Sequence, residues 1–169
     1  MRLNANAYIG LGANLGKPKD TFEKALDLIS QFATIEKLSR LYHSAPFGFS
    51  AQPPFTNAAV AISTIYSPKD LLIRLQDTEK KLGKKVIHKN GPRVIDLDLL
   101  LLGDQIIETD YLILPHPGIL KRDFVLLPLL DLNPDLMHPA WGSKTLKSAL
   151  SGLQKKFVEE NPEYWYYLI

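Results

Sequence analysis

Two aspartates separated by one residue, Asp96 and Asp98, stand inside an aliphatic run, "VIDLDLLLLG". In a strand, residues two apart share a face, so these carboxylates project side by side with Cβ atoms roughly 6–7 Å apart. Ile95, Leu97, Leu99 and Leu101 then point the other way, into a core. Like charges on a half-buried sheet repel and are poorly solvated, so something cationic must compensate. A salt-bridged pair is one solution. A hard divalent ion is the other, because Mg2+ takes a few carboxylate oxygens together with waters and substrate phosphates, and two carboxylates at this separation suit two ions.

The neighbours supply cations. Residues 80–95 hold Lys80, Lys81, Lys84, Lys85, Lys89 and Arg93 and no acid. Groups that gather phosphates, set beside carboxylates that hold Mg2+, are the components of phosphoryl transfer. A solvated surface loop is the competing reading, and it is preferred for Lys80 and Lys81, where a helix end welcomes positive charge. His116, between Pro115 and Pro117, sits in a stiff extended segment and can donate to a phosphate oxygen. Arg122 is a candidate phosphate clamp. A hydrogen-bonded loop histidine and an ordinary surface arginine are the plain alternatives.

A third cluster is aromatic. "APFGFSAQPPF" holds three prolines and three phenylalanines, Phe47, Phe49 and Phe55, with Ser44 and Asn57 at its margins. Rings stack on rings, and an Asn amide offers a donor and an acceptor together, as a fused heterocycle requires. Packing of this loop on the protein's own core is the competing reading.

These groups need elements to position them. "AYIGLGAN" reads as a short strand running into a turn at Gly10, Gly12 and Gly16, since neither a Walker A loop nor a dinucleotide fingerprint follows. Pro18 opens a helix whose Phe22, Ala25, Leu26 and Ile29 recur at helical spacing. "ATIEKLSRLYHS" and "TNAAVAISTI" read as one strand each. "SPKDLLIRLQDTEKKLG" is the clearest helix, with Ser67 as N-cap, Pro68 in the first turn and Gly83 at the stop. Leu72, Leu75 and Leu82 line its apolar stripe, and Glu79 falls in that stripe, where a carboxylate needs a partner. The aspartate strand follows, then "GDQ" turns into a strand pair, "LKRDFVLLPLLDL" forms a short helix broken near Pro128, and "SKTLKSALSGL" forms a terminal helix. Two strands after the first helix and two or three after the second imply an α+β fold. Its expected form is a ferredoxin-like antiparallel or mixed sheet with helices packed on it.

Composition sets outer bounds. The 169 residues suit a single domain over 1–169, and 46% hydrophobic with 22% charged residues is ordinary for a globular protein. The absence of cysteine excludes disulfides and thiolate metal sites and fits a reducing compartment. No apolar run approaches the ~20 residues of a membrane helix, and the N-terminus lacks a signal-peptide pattern. A soluble, cytoplasmic monomer without membrane or nucleic-acid partners is expected. An RNA-binding module of similar fold is the runner-up, but the strands show no aromatic array for bases, and paired carboxylates would repel a phosphate backbone. A nucleotidyltransferase using the same D-x-D would release pyrophosphate.

Taken together, "AYIGLGANLG", "YHSAPFGFSAQPPFTNAAV", "NGPRVIDLDLLLLGD" and "LPHPGILKRDFVLLPL" resemble the 6-hydroxymethyl-7,8-dihydropterin pyrophosphokinase family, over residues 7–129. The joint occurrence of G-P-R-x-x-D-x-D and P-H-P-x-x-x-x-R-x-F carries the resemblance. It implies a ferredoxin-like core with helices on both sides of an antiparallel sheet. It implies transfer of the terminal diphosphate of ATP to the hydroxymethyl group of the dihydropterin, releasing AMP, in folate biosynthesis. By the same resemblance Asp96 and Asp98 would hold two Mg2+ ions. Lys84, Lys89, Arg93, His116 and Arg122 would bind phosphates, with Lys84, Arg93 and Arg122 serving catalysis beside the aspartates. Gln76 and Leu99 would lie near the adenosine. Phe55 and Phe124 would sandwich the pterin ring, and Asn57, Ser44 and the backbone near Ala45 and Phe47 would read its edge. Glu79 would support the site from its helix.

Overall fold

The computed structural model describes residues 4–85, 87–159 and 161–167. Its elements run β1 (Ala5–Ala13), α1 (Pro18–Ile29), β2 (Thr34–Leu38), β3 (Tyr42–Ser44), β4 (Phe55–Thr64), α2 (Pro68–Lys81), β5 (Asp96–Leu102), β6 (Ile107–Glu108), β7 (Ile113–Leu114), α3 (Asp123–Leu132) and α4 (Leu146–Gly152). The main sheet is antiparallel with order β2-β4-β1-β5, and β3 continues the pairing along β4. β6 and β7 form the expected separate strand pair.

The central strands β1, β4 and β5 are covered on both faces by helices, whereas β2, β6 and β7 keep exposed positions. α1 and α2 lie over one face, where Ile9, Leu11, Val60, Ile62, Leu97 and Leu99 meet Phe22, Leu26, Leu71 and Leu75. α3 and α4 lie over the other, where Ala59, Leu100 and Leu101 meet Leu126, Leu129 and Leu146. This is the expected ferredoxin-like α+β arrangement. Among the described residues, no helix is long and apolar enough to cross a membrane.

Local signals hold where chemistry alone decides them. The Ser67 hydroxyl accepts from the Asp70 N–H, and Gly83, just past the α2 end, has φ of 86°. All four expected apolar residues of α1 are buried. In α2 the buried stripe is Leu71, Leu75, Thr78 and Glu79, with Leu72 and Leu82 only partly covered, so the stripe is rotated from the expected one.

Other expectations fail for reasons set by the neighbours. Residues 33–44 form two strands, because Ser39 leaves the ladder: its hydroxyl accepts from the Ala59 N–H and donates to the Arg40 carbonyl. Gly10 and Gly12 lie in β1, not in a turn; only Gly16 turns, with φ of 67°. The register of β1 on β5 slips so that Tyr8 faces Leu101 and Ile9 faces Leu99. Leu100 is the extra residue of this bulge. Leu101 therefore joins the α3 side instead of the α2 side. Pro128 does not break α3; it sits inside the helix and is buried, lining a cleft on that side of the sheet. The terminal helix is short, and the chain after it returns to the sheet: Val158 bridges to Ser44, Glu163 bridges to Leu41, and Trp165 packs edge-on against Phe22.

Candidate active site

On the α3 side of the sheet, the register places Gly12 between Asn57 and Asp96, and Gly10 between Ala59 and Asp98. Neither glycine offers a side chain, so the sheet is bare beside each aspartate. This is the floor of a cleft of about 400 Å³, a size suited to small ligands. Lys84, Arg93, His116 and Arg122 line one part of it, and Phe47, Phe55 and Phe124 another.

Asp96 is neutralised by protein. Lys84 Nζ lies 2.7 Å from its Oδ1, and Arg93 Nη1 donates to its Oδ2. Lys84 also bonds Glu79 Oε1 at 2.9 Å. Burial works to lower the Lys84 pKa, but its bonds to Asp96 and Glu79 outweigh that and hold it above the ordinary lysine value. Glu79 answers for its place in the apolar stripe: it accepts the Leu97 N–H at 2.7 Å, on the free edge of β5. Burial still raises its pKa, with the Leu97 and Lys84 bonds pulling against it.

Asp98 differs. It makes no ion pair among the described residues. The side chain is open to the cleft while protein crowds it elsewhere. Burial, then the Asp96 charge, pushes its carboxyl up to about 6, against a downward pull from Lys84, Arg93 and Arg122. Water in the cleft moderates the effect, but two carboxylates sharing one wall fix its direction as upward.

His116 is anchored by its own N–H, which donates to the Leu100 carbonyl, and its Nδ1 accepts from the Gly118 N–H at 3.0 Å. A neutral ring so held carries its proton on Nε2 as a free donor. Burial and then Arg122 lower its pKa, which favours that neutral form.

The aromatic part is built by two loops. Asn57 Nδ2 donates to Ser44 Oγ at 2.8 Å, which leaves its Oδ1 beside Gly12 as an acceptor. The Ala45 N–H is already given to the Phe157 carbonyl, so the backbone there can offer its carbonyl but not that donor. Phe47 packs against Phe124 at 6.3 Å, with the Arg122 guanidinium 4.3 Å from the Phe47 ring centre. Gln52 donates to the Phe49 and Asn90 carbonyls, and Asn14 donates to Gln52 and Pro53 while accepting from the Arg93 N–H. Asn14 thus ties the basic loop that carries Arg93 to the aromatic loop at the end of β1.

The structure brings together Ser44, Ala45, Phe47, Phe55, Asn57, Lys84, Arg93, Asp96, Asp98, His116, Arg122 and Phe124 around one cleft. Three expected residues stand apart from it. Lys89 lines a neighbouring basic hollow with Lys85 and His88. Gln76 is exposed on α2 outside both, and the Leu99 side chain is buried on the opposite face of β5. Leu99 can therefore meet a ligand only through its backbone. The floor glycines, Leu100 and Pro128 line the cleft without having been singled out; their role follows from register and the bulge, which no local pattern encodes.

Comparisons with known proteins identify the family. A family model described as 7,8-dihydro-6-hydroxymethylpterin-pyrophosphokinase (HPPK) matches residues 8–134. The 2-amino-4-hydroxy-6-hydroxymethyldihydropteridine pyrophosphokinase of Aquifex aeolicus is 40% identical over 137 residues, covering 81% of this chain and 86% of that protein. The folic acid synthesis protein fol1 of Pneumocystis carinii is 44% identical over 140 residues, covering 82% of this chain. This chain spans only 19% of that longer protein. A crystal structure of Plasmodium falciparum HPPK-DHPS superposes with a TM-score of 0.71 at 15% identity, over 89% of this chain and 46% of that one, which speaks to the fold. The chain belongs to the 7,8-dihydro-6-hydroxymethylpterin-pyrophosphokinase family.

Proposed function

We propose that this protein, as one domain over residues 1–169, transfers the terminal diphosphate of ATP to the hydroxymethyl group of 6-hydroxymethyl-7,8-dihydropterin, releasing AMP, as a step of folate biosynthesis. The observation that carries this reading is the juxtaposition in one cleft of two floor aspartates, a cation cluster and an aromatic slot. The hydroxyl oxygen attacks the β-phosphorus and gives up its proton to water, the bond from that phosphorus to the oxygen bridging to the α-phosphorus breaks, and AMP leaves with the electron pair.

Asp96 and Asp98 fit two Mg2+ ions. Their oxygens are hard donors, and Asp98 lacks a protein cation among the described residues. Such ions supply charge neutralisation at phosphate oxygens and acidify a bound hydroxyl. Lys84 and Arg93, which pair with Asp96, would also offer their charge to phosphate oxygens in the cleft. His116 Nε2 and Arg122 donate to phosphate oxygens from the far side. The pterin lies between Phe55 and Phe124, and Asn57 Oδ1 accepts from its edge. Proximity does most of the work: phosphoryl transfer asks the protein chiefly for alignment and charge.

The test is a product assay with ATP, Mg2+ and hydroxymethyldihydropterin. AMP and the pterin diphosphate ester are expected in equal amounts; pyrophosphate release would instead indicate nucleotidyl transfer. Asp96→Ala and Asp98→Ala are each expected to cut turnover by at least about a hundredfold with the fold retained. Wild-type turnover in both would remove the metal assignment.

A further inference from the structure

The chain beyond residue 152 lies outside the matched family region, yet it builds part of the wall behind the aromatic slot. Phe157 closes a three-ring cluster: its centroid is 5.5 Å from Phe47 and 5.8 Å from Phe124, both edge-on, and the latter two rings are 6.3 Å apart. Phe157 itself does not line the cleft; it is 7% exposed, and Lys155 Nζ covers it at 4.9 Å. Three hydrogen bonds fix its place. The Phe157 carbonyl accepts the Ala45 N–H at 2.8 Å, and Asp123 Oδ2 accepts both the Phe157 N–H, at 2.8 Å, and the Val158 N–H, at 3.0 Å.

Asp123 is the first residue of α3, between Arg122 and Phe124, and is 2% exposed. A buried carboxylate is costly unless donors meet it. Here the tail supplies both donors to Oδ2, while Oδ1 is buried without a partner among the described residues, so the tail and the start of α3 are held to each other. The residue after Asp123 is the slot ring Phe124, and the residue before it is Arg122.

We infer that residues 155–158 act as a strap that sets the pterin slot, with Phe157 and Asp123 as positioning residues for Phe124 and Phe47. This rests on the reading of Phe124 as a pterin-stacking ring. Stacking geometry is demanding, because a ring displaced by an ångström loses its offset overlap. Deleting Phe157 removes the edge contacts that hold both rings, and deleting the Asp123 acceptor releases the strap from α3. Neither change touches Asp96, Asp98, Lys84 or Arg93, and Arg122, which precedes Asp123 and lies over the Phe47 ring, is the one phosphate-side group within the strap's reach. The strap therefore governs affinity for the pterin more than for the nucleotide.

The test measures KM for each substrate, kcat and thermal melting in full-length Phe157→Ala, Phe157→Leu, Asp123→Ala and Asp123→Asn. Phe157→Ala and Asp123→Ala are expected to raise the pterin KM by about tenfold, with the ATP KM within about twofold and kcat at saturation little changed. Phe157→Leu, which keeps most of the volume, should raise it less. Asp123→Asn keeps an acceptor for the strap and should restore most of the pterin affinity. Equal rises for both substrates, or a lower melting temperature with unchanged KM values, would overturn the strap. Phe124→Ala separates this from the parent reading. If it raises the pterin KM while Phe157→Ala and Asp123→Ala do not, the strap falls alone; if it leaves the pterin KM unmoved, the stacking role falls and takes the strap with it.

Discussion

Asp98 carries a cost to the fold that its neighbour Asp96 escapes. Lys84 and Arg93 sit on Asp96, and no cation sits on Asp98 among the described residues. Its carboxyl is pushed from 3.8 up to about 6. A group whose folded pKa is raised binds more protons in the native state between those values. Stability therefore falls as pH rises from about 4 to 6, and the loss is complete above that window. Asp98→Asn removes the titration. The full shift would correspond to ~3 kcal/mol, but the group opens onto cleft water, which leaves about 1 kcal/mol. The variant should melt higher than wild type at pH 8 and coincide with it below pH 4, by scanning calorimetry across pH. A gain of the same size at every pH would show that the charge is not its source. The same residue that weakens the fold is the one with oxygens free for a metal, so stability and activity should move in opposite directions.

Strand β1 contributes to the site by what it lacks. Valine suits a strand better than glycine does, and a Cβ at Gly12 would meet only Asn57 Oδ1, at 3.7 Å. Gly12→Val should thus leave thermal stability within about 1 kcal/mol of wild type. Its methyl groups would fill the floor between Asn57 and Asp96, so substrate affinity should drop by at least about tenfold, read by titration calorimetry. Unchanged binding would mean that the ligand does not approach this part of the floor. The glycine spacing was visible in the sequence, but its meaning was not, since a strand glycine and a turn glycine look alike until a partner strand sets the register. The same holds for Leu101, where alternation pointed to the wrong face because β1 imposes a bulge at Leu100. Caps and stripes were legible: Ser67, Gly83 and the α1 face depend on residues within a turn or two. So was the shared face of the two aspartates, which strand alternation alone sets, although Asp96 takes the salt-bridged form that the sequence left open. Pro128 misled because its helix is held by the packing of Leu126 and Leu129 on the second core, which outweighs the lost hydrogen bond. The tail carried no local signal, since its role exists only through contacts with residues far back along the chain.

Across the whole molecule, the helix that walls the cleft is tied down at both ends, at Asp123 beside the slot and at Asp131 away from it. At the far end of α3, Asp131 accepts from the Arg40 backbone N–H, from Arg40 Nε and Nη2, and from the Tyr42 hydroxyl, all within 3.1 Å. This joins the corner between β2 and β3 to the C-terminal end of the helix whose N-terminal end carries Arg122 and Phe124. Burial alone would raise the Asp131 pKa, but the Arg40 bonds prevail and hold it below the ordinary carboxylate value. The sign is opposite to that of Asp98. Its contribution is fully present above the unfolded value of 3.8 and is lost as pH falls through the lower folded value. Asp131→Ala should cost about 2 kcal/mol at pH 7, because it leaves the Arg40 and Tyr42 donors without their acceptor. As pH falls below 3.8 that contribution shrinks in the wild type, so the gap between the two proteins should narrow, as urea denaturation at pH 7 and at an acid pH below 3.8 would report. If the gap is the same at both pH values, the anchor is held by packing and not by charge. If α3 is steered from this end as it is from Asp123, the variant should also raise the pterin KM; an unchanged KM would confine the anchor to stability and leave the tail strap as the structure that sets the slot.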